Sequence, residues 1–80
     1  MNDLKLFTMS TCPYCIKVER YMEDNNISVS LADIKKDPKN KEELIEKGGK
    51  VQVPMLLIDG KALYESEEII KWFKGRPDSL

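Results

Sequence analysis

The 80-residue sequence has no histidine, two cysteines and no long apolar run. It offers nothing near the roughly 20 apolar residues of a membrane-spanning helix, and residues 1–7 form neither the basic nor the apolar part of a signal peptide. Acidic and basic residues are interspersed and give a formal net charge of −1, whereas nucleic-acid surfaces need clustered basic residues. These absences predict a cytoplasmic protein with no nucleic-acid or membrane partner.

The size and composition predict one soluble folded domain over residues 1–80, with 41% apolar and 34% charged residues. Small secreted domains use several widely spaced cysteines as disulfide staples. Here Cys12 and Cys15 lie three positions apart, and a bond between them would close a loop too short to stabilise the fold much. The pair therefore favours chemistry over a structural role.

The spacing of apolar residues predicts seven elements in the order β–α–β–α–β–β–α. They are a strand at 4–9, a helix from 13 to about 24, a strand at 27–31, a helix from 38 to 48, strands at 55–58 and 61–64, and a helix that Ser66 caps and that Gly75 and Pro77 end. A right-handed crossover would make the first two strands parallel, and Asp59-Gly60 predicts a hairpin between the last two. This is an α/β thioredoxin fold, with a four-stranded mixed sheet flanked by three helices.

Two predictions concern which side chains these elements bury. The alternation of Ile27, Val29 and Leu31 with serines predicts that these three side chains line the buried face of the second strand. In the second helix, Leu44 and Ile45 are the strong apolar residues, and we expect both to anchor it against the sheet.

Cys12 and Cys15 open the first helix, a position suited to thiol chemistry. The attacking species is a thiolate, and the unpaired N–H groups and the dipole of a helix N-terminus stabilise an anion at Cys12. Cys15, one turn on, is expected to be the more buried and to resolve a mixed disulfide. A C-x-x-C pair can also be half of a zinc site, but a closed site needs four ligands. With no histidine and no third cysteine, redox chemistry is favoured.

The chain resembles the glutaredoxins over almost its whole length. The matching segments are Phe7-Thr8, Cys12-Pro13-Tyr14-Cys15, Val53-Pro54, Asp59-Gly60 and the acidic start of the last helix. The resemblance implies glutathione as reductant and co-substrate, and an intermediate in which glutathione is disulfide-bonded to Cys12. A second glutathione or Cys15 would resolve it, with no bound organic cofactor or metal.

The resemblance also implies a set of glutathione contacts. It places a cis peptide bond at Val53-Pro54, with the Val53 backbone facing Cys12, and the γ-glutamyl end of glutathione at the start of the last helix. Simple helix capping and a solvated lysine are the alternatives at Ser66 and Lys50, and Lys47 is a second candidate for the glycyl carboxylate. The implied contacts are Tyr14, Val53, Pro54, Ser66, Glu67 and Lys50.

The sequence departs from the common glutaredoxin pattern at two places. Many members have a lysine shortly before the first cysteine, where this chain has Met9-Ser10-Thr11, and many have Gly-Gly where it has Tyr64-Glu65. Glu65-Ser66 is instead similar to the N-terminal domain of glutathione transferases. A transferase would need a long helical domain beyond Leu80, so we expect glutathione recognition without transferase activity.

Three alternatives stay open. The tail 75–78, Gly-Arg-Pro-Asp, is similar to that of glutaredoxin-like hydrogen donors of ribonucleotide reductase, which thioredoxin reductase reduces. A glutathione-ligated iron–sulfur carrier is a second alternative, against which the rigid Pro13-Tyr14 loop and Cys15 argue, and a non-catalytic interaction module is the third. The favoured prediction is a monomer that reduces disulfide-bonded or glutathionylated proteins, with ribonucleotide reductase as one candidate client.

Overall fold

The computed structural model describes residues 4–75 and confirms the predicted order of elements. The elements are β1 (Leu4–Thr8), α1 (Pro13–Asp24), β2 (Ser30–Asp33), α2 (Pro38–Gly48), β3 (Met55–Ile58), β4 (Lys61–Tyr64) and α3 (Ser66–Lys74). Helices α1 and α2 begin with proline, whose fixed φ and missing N–H suit the first helical position. Within 4–75, no helix combines the length and the apolar character needed to cross a bilayer. The predicted contribution of Pro77 to the last helix end lies outside the described residues.

The four strands form one mixed sheet in the order β2-β1-β3-β4. Strand β1 runs parallel to β2 and antiparallel to β3, so that Leu6 lies opposite both Leu31 and Leu56. Strands β3 and β4 form the predicted hairpin, whose turn residues Asp59 and Gly60 have φ values of 48° and 88°. Two positive φ values are typical of the type I′ turn that matches strand twist. The expected thioredoxin fold is confirmed.

Side chains alternate between the two faces of the sheet and build a separate core on each. On one face α1 and α3 cover the sheet, and the buried residues are Leu6, Val18, Met22, Leu56, Ile69 and Phe73. On the other face α2 covers it, and the buried residues are Phe7, Ala32, Leu44 and Met55. The two neighbours Leu6 and Phe7 therefore anchor β1 to both cores.

The predicted position and phase of β2 are wrong. The strand spans Ser30–Asp33 instead of 27–31, its buried residue is Ala32, and Leu31 is 54% exposed. Strand β2 is an edge strand, and the parallel register pairs Ala32 with Phe7, which turns Ala32 into the α2 core. Ile27 and Val29 pack partly against the α1 and α3 core from the loop that precedes the strand.

Helix α2 buries one of its two predicted anchors. Leu44 is fully buried, whereas Ile45 is 44% exposed. Consecutive helical residues lie about 100° apart around the axis, so the helix that directs Leu44 into the sheet turns Ile45 towards solvent. Leu44 is the one buried residue of α2, and polar contacts add to it: an ion pair of 2.7 Å between Lys5 of β1 and Glu43, and a hydrogen bond of 3.0 Å from Asn40 to the Asp33 carbonyl.

Candidate active site

Cys12 lies at the junction between the loop after β1 and helix α1. Its backbone is extended, with φ −89° and ψ 118°, and it is the N-cap residue that the sequence predicts. The Cys12 N–H donates to the Met9 carbonyl, and its own carbonyl accepts from the Ile16 N–H, each at 3.0 Å. The sulfur of Cys12 therefore starts from the end of the helix where first-turn N–H groups are unpaired within the helix.

Cys15 lies one turn further along α1, and both cysteines are free thiols. The structure confirms that Cys15 is the more buried, with 0% of its surface exposed against 9% for Cys12. Burial raises the pKa of Cys15 to about 11, and the neighbouring Cys12 adds to the rise. Hydrogen bonds to the Thr8 hydroxyl and the Met9 backbone act in the opposite direction. At neutral pH, Cys15 is thus a protonated thiol.

Val53 and Pro54 bring the loop before β3 to Cys12. The peptide bond between them is cis, as the glutaredoxin resemblance implies. The Cys12 Sγ lies 4.0 Å from the Val53 carbonyl oxygen, across 41 positions of sequence. The fold therefore places the backbone of the loop before β3 beside the more exposed sulfur.

A groove of about 430 Å³ begins beside this segment. Its lining consists of Tyr14, Gln52, Val53, Pro54, Glu65, Ser66 and Glu67. Five of the six implied glutathione contacts thus come together, and Tyr14 keeps 64% of its surface exposed at the edge. Lys50, the sixth, is not part of this lining among the described residues. Its Nζ lies 4.5 Å from the centre of the Tyr64 ring.

The start of α3 differs from the prediction. Ser66 is not the N-cap: it is a buried first residue of the helix, and Glu65 is the N-cap residue. Glu65 has φ 75°, and its carbonyl accepts the Ile69 N–H at 3.0 Å, so the helical ladder begins one residue before the expected position. A left-handed glutamate is uncommon, and residue type alone favours serine as the cap.

Three further residues of the groove region were not predicted as site residues: Lys17, Gln52 and Glu65. Lys17 of α1 forms an ion pair with Glu67 at the start of α3, and the hydrogen bond and charge of Lys17 lower the pKa of Glu67. Gln52 donates to the Glu65 carboxylate at 3.1 Å. These contacts join segments 13 to 50 positions apart, and no local motif signals them.

In residues 4–75, no three candidate metal-ligating side chains of histidine, cysteine, aspartate or glutamate cluster together.

The fold and the cysteine pair at the start of α1 define a thiol–disulfide oxidoreductase of the thioredoxin fold. The chain belongs to the glutaredoxin family, because the family model described as Glutaredoxin matches residues 4–63. It is 30% identical to Glutaredoxin 1 of Rickettsia conorii, over an alignment that covers all of this chain and 81% of that protein.

Two solved structures illustrate the range of proteins to which the chain is similar. A glutathione S-transferase from Methylobacillus flagellatus with GSH bound is 27% identical, with a TM-score of 0.76, and the match covers 91% of this chain and 36% of the transferase. A buckwheat glutaredoxin in complex with glutathione has a TM-score of 0.72, at 18% identity, and the match covers 91% of this chain and 69% of that one. The second likeness shows the fold alone.

Proposed function

We propose that the chain is a glutathione-dependent thiol–disulfide oxidoreductase in which Cys12 is the nucleophile and Cys15 the resolving thiol. The observation that carries this proposal is the position of Cys12 at an uncapped helix start, in contact with Val53 of the groove. The helix end stabilises the attacking thiolate, while burial keeps Cys15 a thiol until it is needed.

The reaction begins when the Cys12 thiolate attacks a disulfide of a client protein or a mixed disulfide of glutathione. When the sulfur attacked is that of glutathione, Cys12 becomes glutathionylated and the client leaves as a thiolate. A second glutathione then attacks the glutathione sulfur, or Cys15 attacks Cys12. The first route needs Cys12 alone, and the second converts the pair into a disulfide that glutathione later reduces.

The groove suits a peptide-like thiol held beside Cys12. Its volume of about 430 Å³ falls within the usual range for small-molecule sites. Val53 presents backbone to the cysteinyl part of glutathione, and Tyr14 and Pro54 cover its flank. The N-terminus of α3 at Ser66 receives the γ-glutamyl carboxylate. Glu67 faces its ammonium group, in competition with Lys17. The GSH bound to the transferase of Methylobacillus flagellatus supports this assignment.

The wider proposal is a single domain over residues 1–80 that acts as a monomer in the cytoplasm. Its clients are proteins with disulfides or glutathionylated cysteines, and ribonucleotide reductase is one candidate. The apolar side chains of Tyr14 and Ile16 are exposed next to the cysteines, and they offer a client an uncharged contact around the reacting sulfur.

The test is the reduction of the mixed disulfide of glutathione and hydroxyethanethiol, with glutathione and glutathione reductase recycling the protein. Wild type and Cys15→Ser are expected to turn over, and Cys12→Ser is expected to be inactive. Activity with thioredoxin reductase but not with glutathione would replace this proposal with the hydrogen-donor alternative. Full activity of Cys12→Ser would contradict the assigned nucleophile.

A further inference from the structure

An ion pair joins the two helices on the groove side of the sheet. Lys17 of α1 lies two residues after Cys15, and its Nζ donates to Oε1 of Glu67 in the first turn of α3. Glu67 lines the groove, whereas Lys17 is not part of the lining among residues 4–75. The pair therefore links a carboxylate of the groove to a cation that lies just outside it.

Stability of the fold does not account for this pair. The Lys17 and Glu67 side chains are 51% and 73% exposed, and water weakens the attraction of exposed ion pairs. Glu67 is already favourable in the first turn of a helix because of the helix dipole. Lys17 lowers the pKa of Glu67 more than the charge of Lys74 does, so Lys17 is the principal cation at this carboxylate. Such a contact is easily opened by a ligand.

The charges of the groove decide which ligand gains from opening the pair. Its described lining contains the carboxylates of Glu65 and Glu67 and no basic side chain. Glu65 accepts a hydrogen bond from Gln52, and Glu67 accepts one from Lys17, so both carboxylates already have partners. A ligand carboxylate finds positive charge at the start of α3 and on the long, exposed side chain of Lys17.

We propose that Lys17 is a specificity-determining residue that selects thiols ending in a zwitterionic α-amino acid, an inference that rests on the proposed function. The ligand's ammonium group replaces Lys17 at Glu67, and the released Lys17 pairs with the adjacent carboxylate. This exchange opens one ion pair and forms two. A thiol with the ammonium alone opens one pair and forms one, whereas a thiol with the carboxylate alone is repelled by Glu67.

The test compares glutathione with two tripeptides that each lack one charge. The γ-aminobutyryl-cysteinylglycine tripeptide has no α-carboxylate, and glutaryl-cysteinylglycine has no ammonium. Each is supplied as its mixed disulfide with thionitrobenzoate to protein carrying Cys15→Ser. The Cys12 thiolate attacks the tripeptide sulfur and forms the new disulfide, and thionitrobenzoate leaves as a thiolate. Stopped-flow absorbance at several concentrations gives an apparent Kd for each tripeptide.

With Lys17 present, glutathione should bind more tightly than either analogue. Lys17→Met frees Glu67 for any ammonium group, so the preference for glutathione over the γ-aminobutyryl tripeptide should fall about two- to fivefold. Lys17→Arg keeps the charge and should keep the preference. Arg20→Met removes a positive charge from an exposed position of the same helix, and as the matched control it should leave the preference unchanged.

Glu67→Gln tests the other half of the pair. It removes the ammonium partner and the repulsion, so the preference for glutathione over the glutaryl tripeptide should fall. Equal changes for all three tripeptides in Lys17→Met would overturn the proposal, as would equal effects of Lys17→Met with Arg20→Met or with Lys17→Arg. A protein with Lys17 that does not prefer glutathione to its analogues would contradict both this inference and glutathione dependence. A preference that persists in Lys17→Met would contradict this inference alone.

Discussion

Helix α2 and the two helices on the opposite face of the sheet begin in different ways. The Asp37 side chain caps α2 by accepting the Lys39 N–H at 3.0 Å, and Gly49, with φ 85°, closes its far end. Helices α1 and α3 follow Cys12 and Glu65, and in the described part of the chain neither residue caps its helix with its own side chain. Conventional capping is thus found on the helix away from the groove.

The difference separates stability from function within one small sheet. A side-chain cap satisfies first-turn N–H groups and stabilises a helix by about 1 kcal/mol. An uncapped helix start keeps those donors available to an anion, which in the proposed function is the Cys12 thiolate at α1 and the γ-glutamyl carboxylate at α3. Variants on the two faces test whether changes on the α2 face act mainly on stability while changes on the opposite face also alter activity.

The largest expected effect comes from removing one buried side chain from each of the two cores. Leu44→Ala and Ile69→Ala remove fully buried side chains on opposite faces, and each should lower the free energy of unfolding by about 2–5 kcal/mol. Ile69→Ala should raise the KM for glutathione mixed disulfides more than Leu44→Ala does, because α3 itself carries Ser66 and Glu67, whereas the core of Leu44 supports the groove through Val53. Urea denaturation and steady-state kinetics measure the two effects. An equal change of KM in both variants would contradict the separation of the faces.

The next effect is the pH dependence of the free energy of unfolding that the titration of Cys15 causes. Cys15 lies on α1, on the face of the sheet opposite α2. Folding raises the pKa of this thiol from 9.0 to about 11, so the folded state is favoured while Cys15 is protonated. That contribution is fully present below pH 9 and is lost as pH rises towards 11. Its size is roughly 3 kcal/mol.

The measurement is urea denaturation of reduced protein at several pH values, with Cys15→Ser as the reference. Lysines and tyrosines titrate in the same range in both proteins, so the difference between the two curves reports Cys15. Wild type should lose more stability than Cys15→Ser between pH 9 and 11. Parallel loss in the two proteins would show that folding leaves this thiol's pKa unchanged.

Gly48 provides a smaller test on the α2 face. A Cβ added here would overlap the Tyr64 hydroxyl and lie 2.9 Å from Tyr64 Cζ, so the ring must move. Gly48→Ala should cost about 1–3 kcal/mol without altering the rate per folded molecule. Gly75→Ala is the matched control, since its Cβ would lie 3.5 Å from the Lys71 carbonyl at a φ of −78°. Equal thermal denaturation midpoints for the two variants would argue against the Tyr64 contact.

The smallest effect compares the helix starts directly. Asp37→Ala removes the cap of α2 and should cost about 1 kcal/mol. Glu65→Ala removes no side-chain cap from α3, and the lost hydrogen bond from Gln52 is exposed, so its cost should stay within about 0.5 kcal/mol. The midpoints of urea denaturation distinguish the two variants. A larger loss for Glu65→Ala would mean that α3 depends on a cap supplied through this side chain.

The sequence predicted local features better than the positions of individual side chains. Pro13, Pro38 and the Asp59-Gly60 turn mark boundaries through their own backbone preferences, and the structure confirms all three. Leu31 and Ile45 were predicted to be buried and are exposed. The burial of Leu31 depends on the register of its strand, and the burial of Ile45 depends on which face of α2 meets the sheet. Neither the register nor the helix orientation can be recognised from the neighbouring residues alone.

In the candidate site, too, local features could be predicted from the sequence and long-range contacts could not. The start of α1 at Cys12 and the greater burial of Cys15 follow from sequence, while the groove that unites Tyr14, Val53 and Ser66 was expected only through resemblance. Lys17 gave no signal, because a lysine on the polar side of a helix resembles any solvated residue. Its partner Glu67 lies on a helix that contacts α1 only after the chain has folded.

The sequence by itself determined the order of elements and the place of the cysteine pair, because proline, glycine and apolar periodicity act over a few neighbouring residues. Tertiary structure decided what surrounds each sulfur. It brought Val53 to Cys12 across 41 positions, Glu67 to Lys17 across 50 and Thr8 to Glu19 across 11. Such contacts depend on the packing of helices against a shared sheet, which sums weak preferences from the whole chain and is not encoded in any one segment.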